Sequence, residues 1–210
     1  MGEPGPRSTP LSDGPSDWST RHHGIDPSAV PFLPAWLRLV DGLAAPFVRL
    51  RVPPVAITVA GALLAVDALL FASRWPWVAL GLVVASVVCD AVDGPAAARL
   101  GRVSGQGAVA DLIADRVSDT AFALVLWRCG APLWTAVLAA GAALAVEGLR
   151  HAMRRPAVIT VAERPTRVVC TVLACASAGV SAASWPAALC AAVWIALHAI
   201  AVVQLRRTAR

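Results

Sequence analysis

Six apolar stretches, each close to the length of a bilayer span, run from residue 54 to the end of the chain: roughly 54 to 73, 76 to 98, 107 to 128, 132 to 153, 166 to 183 and 185 to 205. An α-helix rises about 1.5 Å per residue, so about 20 apolar residues match a hydrocarbon core ~30 Å thick. Inside that core the backbone must satisfy its own hydrogen bonds, which a helix does. Composition agrees, because 58% of residues are hydrophobic and only 15% charged, against about a quarter charged in soluble domains. The expected fold is all-α: a polytopic membrane protein with six transmembrane helices. No strand-forming segment or internal repeat stands out.

Three zones follow from where the apolar residues stop. Residues 1–30 are rich in Pro, Gly, Ser and charge and are expected to be a disordered cytoplasmic tail. Residues 31–52 are expected to form an amphipathic juxtamembrane helix, since Trp36, Leu37, Leu39, Val40, Leu43, Phe47 and Leu50 fall mainly on one face with Arg38, Asp41, Arg49 and Arg51 interspersed. Residues 53–207 are the membrane domain. No cleavable signal is expected, because the first apolar stretch follows a long polar segment.

The net charge of +5 rests on arginine, with no lysine in the chain, and its placement is informative. Arg49, Arg51, Arg99, Arg102, Arg150, Arg154, Arg155, Arg164, Arg167, Arg206, Arg207 and Arg210 occupy alternate breaks between apolar stretches, and the other breaks hold only Arg74 and Arg128. The positive-inside rule then places both termini in the cytoplasm. Trp75, Trp77 and Trp185 mark the opposite interface. Cys89, Cys129, Cys170, Cys175 and Cys190 show no metal-ligand spacing and read as small buried hydrophobes.

An ionised carboxylate within a spanning helix is costly unless paired or hydrated, which makes such residues functional candidates. Asp90 and Asp93 stand at i and i+3, and Asp111 and Asp115 at i and i+4, at the facing ends of two stretches joined by the short loop 100–106. Each pair lies on one helical face. Carboxylates brought this close repel one another unless a cation lies among them, and for hard oxygen ligands the fitting cation is Mg²⁺ or Mn²⁺. Gly94 and Gly107, beside these pairs, let backbone and ligand approach closely.

The run Asp90-Ala-Val-Asp93-Gly94-Pro-Ala-Ala97, then Gly107-Ala-Val-Ala-Asp111-Leu-Ile-Ala-Asp115, resembles the signature of CDP-alcohol phosphatidyltransferases, D-x-x-D-G-x-x-A-R-x8-G-x-x-x-D-x-x-x-D. One position departs from it: Ala98 stands where the signature has arginine, and Arg99 follows one residue later, about 100° around the helix. Pro95 is a further oddity, lacking a backbone donor directly after the first carboxylate pair.

The resemblance implies a metal-dependent enzyme of phospholipid biosynthesis in the cell membrane, working at the cytoplasmic face. It would move the phosphatidyl group from CDP-diacylglycerol to a small polar alcohol and release CMP. Asp90, Asp93, Asp111 and Asp115 would hold the metal, and Asp115 would also act as general base. Gly94, Ala97, Gly107, Thr58 and Arg99 would be the nucleotide-binding set. Family members often form homodimers, and membrane lipids but no nucleic acid are the expected partners.

The acceptor is read from the third basic break. Val161-Ala-Glu163-Arg164 with Arg167 is similar to a segment of phosphatidylinositol phosphate synthases whose arginines bind the acceptor's phosphate. Arg150, Arg154, Arg155, Arg164 and Arg167 are therefore the acceptor-phosphate candidates, for inositol phosphate or, alternatively, for glycerol 3-phosphate as in phosphatidylglycerophosphate synthase. Guanidinium forks suit phosphate oxygens. Two other readings stand beside this one: a divergent member inactivated through Ala98 and Pro95, and a cation transporter. Transporters usually place their acidic groups near the bilayer midplane between related repeats, whereas these carboxylates lie near one face.

Overall fold

The computed structural model describes residues 33–153 and 160–208. The tail at 1–30 and the acceptor candidates Arg154 and Arg155 lie outside the described residues, as do the side chains of Trp36 and Leu37. Seven helices appear among the described residues: α1 Leu33–Arg49, α2 Pro54–Phe71, α3 Pro76–Arg99, α4 Gly105–Arg128, α5 Leu133–Met153, α6 Arg164–Val180 and α7 Trp185–Thr208. The chain divides within α1, at Leu39. The unit beginning at Val40 carries everything below.

Local sequence explains most helix boundaries. Pro54 and Pro76 open α2 and α3, where a missing N–H costs nothing and the fixed φ suits the first turn. Ser104 caps α4, its hydroxyl accepting from the Gly107 amide at 3.1 Å. Gly101 ends the α3 side of the connecting loop at φ +62°, a left-handed conformation that glycine adopts without steric penalty.

Among the described residues four helices, not six, are long and apolar enough to cross a bilayer: Pro54–Phe71, Pro76–Arg99, Leu133–Met153 and Trp185–Arg207. This corrects the six-span expectation, and the reason is charge and length. The helix Gly105–Arg128 is long, but Asp111, Asp115, Arg116 and Asp119 dilute its hydropathy. Arg164–Val180 has only 17 residues and begins with Arg164 and Arg167 inside its first turns. Counting apolar residues per stretch overlooked how many charges those two helices bring into the bundle. The fold remains all-α and multi-span.

α4 is the hub, packing against α2, α5, α6 and α7. α2 and α6 each pack against both α3 and α4, whereas α3 and α4, though joined by a short loop, make at most a marginal direct contact. The two aspartate helices thus face each other across a gap held open by their neighbours. The core is built largely of small residues, including Ala65, Ala68, Ala79, Ala121, Ala174, Ala187 and Ala191, around Phe122, Leu126 and Trp194. Small residues let helix backbones approach where no hydrophobic effect drives association in lipid. Large apolar side chains such as Leu63, Leu70, Leu138 and Leu189 are exposed, as a lipid-facing surface requires. A smaller cluster of Ala44, Ile57, Val92 and Ala96 joins the end of α1 to α2 and α3.

The closest helix approach near the gap is at Gly61 of α2. A Cβ there would stand 3.1 Å from the Cys89 Cβ and 3.3 Å from the Ser86 carbonyl oxygen of α3. Gly61→Val should therefore destabilise by about 1–3 kcal/mol through overpacking. Gly81→Val, where a Cβ meets nothing within 4 Å, should leave the Tm in detergent unchanged. Equal melting of the two variants would contradict this packing.

Candidate metal and phosphate site

Asp90, Asp111 and Asp115 each turn a carboxylate oxygen to one place, with the three oxygens within 4.8 Å of one another. The helical spacing of Asp111 and Asp115 puts both on one face of α4, and Asp90 meets them from α3 across the gap. Asp93, one turn along α3, is buried (8% exposed) and accepts a hydrogen bond from the Thr58 hydroxyl of α2 at 2.5 Å. Three of the four aspartates therefore converge, and the fourth is tied to Thr58 in the wall of the same pocket. Ser86, Ser118 and Gly61 also line it.

The pocket carries a cation of its own. Arg164, at the start of α6, places Nη1 2.9 Å from the Asp90 Oδ1 and in closer contact still with the Asp115 Oδ1. Deeper in the bundle Arg167 is nearly inaccessible (3% exposed). It pairs with Asp119 and donates to the Glu147 Oε1 at 3.2 Å. Two arginines on α6, at i and i+3, thus face two aspartates on α4, at i and i+4. Arg116 extends the inner layer, 3.5 Å from Asp119 and 3.8 Å from Glu147.

Arg150 turns the other way. It pairs with Glu163 and with Glu147 at 3.4 Å, and donates to the Thr160 hydroxyl at 2.7 Å. Burial pushes the Glu163 carboxyl up, but hydrogen bonds from Arg150 and from the Thr160 amide, with the Arg150 charge, outweigh it and hold the group below its usual range. Of the acceptor-phosphate candidates described, Arg164 meets the carboxylate cluster, Arg167 is locked in the inner layer, and Arg150 anchors the segment entering α6.

The nucleotide candidates are scattered in environment. Gly94 is exposed with open space where a Cβ would stand, whereas a Cβ on Gly107 would meet the Ser104 Oγ at 3.2 Å. Gly107 thus serves the α4 cap. Ala97 is half-buried. Arg99 forms an ion pair with Asp41 at 3.0 Å and donates to the Asp41 carbonyl at 3.1 Å, tying the end of α3 to α1. α3 continues through Pro95. The cysteines are free thiols, with Cys129, Cys170 and Cys175 buried as expected and Cys89 and Cys190 only partly so.

Sequence reasoning missed the pairing of Arg164 with the metal-ligand candidates and the Arg167–Asp119–Glu147 layer. A signal was present: arginines three apart on one helix complement aspartates four apart on another. Because both partners of the Arg167–Asp119 pair are buried, Arg167→Met alone should cost up to about 3–5 kcal/mol by leaving the Asp119 carboxylate with only the longer contact to Arg116. The double variant Arg167→Met with Asp119→Leu should recover much of that loss. Chemical denaturation in mixed micelles measures both, and strict additivity would show that the two residues do not act as a pair.

The sequence model of the family described as CDP-alcohol phosphatidyltransferase matches residues 51–205. No curated protein and no solved structure matches significantly. The match spans every helix from α2 to α6 and nearly all of α7, and encloses the carboxylate cluster, which can coordinate a divalent cation. The chain belongs to the CDP-alcohol phosphatidyltransferase family, and transfer of a substituted phosphate from a CDP-alcohol is the chemistry that this membership implies.

Proposed function

We propose that this protein transfers the phosphatidyl group of CDP-diacylglycerol to the hydroxyl of a small phosphate-bearing alcohol, with inositol phosphate the first acceptor and glycerol 3-phosphate the second. The observation that carries the reading is the convergence of Asp90, Asp111 and Asp115, with Asp90 and Asp115 lining a pocket that also contains Arg164. A carboxylate trio suits a divalent cation, and a guanidinium suits phosphate oxygens.

In this reading the acceptor's hydroxyl oxygen attacks the phosphorus bearing the diacylglycerol. A new P–O bond forms, the bond to CMP breaks, and the hydroxyl proton passes to Asp115. Asp90, Asp93, Asp111 and Asp115 form the cation's ligand set. Mg²⁺ or Mn²⁺ bound there supplies Lewis acidity to the pyrophosphate and charge stabilisation to the departing CMP. The Thr58 hydrogen bond fixes one oxygen of Asp93, leaving the other as the ligand atom in this reading. Gly94, Ala97, Gly107 and Arg99 are the proposed nucleotide-binding set, supported most directly by the open space at Gly94. Arg164 takes the acceptor's phosphate, supported by Arg150 and Arg167 through the network that positions α6, and Arg154 and Arg155 stay candidates on the sequence alone.

The arginine distribution supports a cytoplasmic site and termini, with residues 31–52 as an interfacial helix ahead of the membrane domain. A homodimer is the assembly expected for this family.

CMP release by purified protein with CDP-diacylglycerol and Mg²⁺ or Mn²⁺ tests the reading, with inositol 1-phosphate, glycerol 3-phosphate, inositol and serine supplied separately. Release should occur with a phosphorylated acceptor and fall by at least about 100-fold in Asp115→Asn. Release with serine or inositol alone would move the acceptor class. No release with any of them would oppose the enzymatic reading itself.

A further inference from the structure

Arg164 forms ion pairs with two of the three carboxylates that form the candidate cation site. Its Nη1 meets both the Asp90 Oδ1 and the Asp115 Oδ1, so one guanidinium nitrogen bridges α3 and α4 where their acidic side chains converge. It comes from a third helix, α6, whose position is set independently by the buried Arg167 pair with Asp119 and by the contact of Arg167 with Glu147. The inner arginine is a fixed strut. The outer one stands at a half-exposed pocket, with its own side chain about one-fifth exposed and Asp90 and Asp115 somewhat more so.

A divalent cation and a guanidinium are like charges competing for the same carboxylate oxygens. At a separation of a few ångströms their repulsion is substantial even with an effective protein dielectric of about 20. The carboxylates, in turn, cannot all stay ionised this close in a partly buried pocket without one cation or the other. We infer that Arg164 is an exchangeable counter-ion: it neutralises Asp90 and Asp115 until a divalent cation displaces it, and displacement releases the guanidinium toward the anionic substrate. This inference rests on the cation site of the proposed function and adds a built-in order, cation first and phosphate-bearing substrate second. The strut at Arg167 keeps α6 in place throughout, so exchange needs only a rotamer change of Arg164.

Mn²⁺ binding to the full chain in detergent, read from the electron paramagnetic resonance of free Mn²⁺, tests the exchange without an activity assay. The samples are wild type, Arg164→Met, Arg164→Lys, Asp115→Asn and Asp90→Asn. Removing the competitor in Arg164→Met should tighten Mn²⁺ binding by about tenfold or more. Arg164→Lys, whose single ammonium reaches fewer oxygens, should fall between wild type and Arg164→Met, and both aspartate variants should bind more weakly. In parallel, Arg164→Met should melt below wild type in chelator and regain most of that difference when Mn²⁺ is added.

If Arg164→Met does not survive purification, Arg164→Lys carries the test, with binding tighter than wild type as the expected result. Unchanged or weaker binding in the Arg164 variants, with binding still lost in the aspartate variants, overturns the exchange and leaves the cation site standing. Unchanged binding in the aspartate variants overturns the site and the exchange together.

Discussion

The structure depends on the cost of keeping carboxylates inside a bundle of apolar helices. Asp90, Asp93, Asp111, Asp115, Asp119 and Glu147 are gathered among α2 to α6, and each would be expensive there if left ionised and alone. Their compensation comes mostly from arginines at the α6 end, with Arg116 and Arg150 completing the set. Arginine suits this work because its planar fork reaches two acceptors at once and keeps its charge under burial. Among the described residues the polar layers are thus built as much by α6, the shortest of the helices packed around α4, as by the two helices that carry the aspartate signature.

These two layers have different characters. Asp119 and Arg167 are nearly closed off, with Glu147 about one-fifth exposed beside them, and the pairing fixes how α6 lies against α4. Asp90, Asp111 and Asp115 are only half-buried, and Asp90 and Asp115 line a pocket. A rigid inner layer beneath an accessible outer layer lets chemistry proceed at the surface of the bundle without disturbing its packing. The Ala-rich core contributes to the same end, since closely approaching backbones leave few large side chains free to rearrange.

Much of this was legible in the sequence. The aspartate spacings alone placed Asp111 and Asp115 on one helical face, and the short 100–106 loop brought Asp90 opposite them. The helical class followed from apolar run length. What run length could not show was that two of the stretches carry charge enough, or are short enough, to differ from the other four; Asp119 and Arg167 matter to the bundle because they pair across helices, and pairing between distant segments leaves no local mark. Arg99 illustrates the same limit. One residue from the position of the signature arginine, it reads as a nucleotide contact, yet its partner is Asp41, remote in sequence and part of α1. Asp93 likewise belongs to the signature, but only the fold reveals the Thr58 hydroxyl that holds it.

The gap between α3 and α4 has a mechanical consequence. Two helices that interlock through side chains resist changes in their separation, because sliding or tilting one forces the other to repack. α3 and α4 have few close backbone approaches of their own and are each braced by α2 and α6 instead. The distance between Asp90 and the Asp111–Asp115 pair is therefore set through third parties, above all where Gly61 lets α2 press against α3.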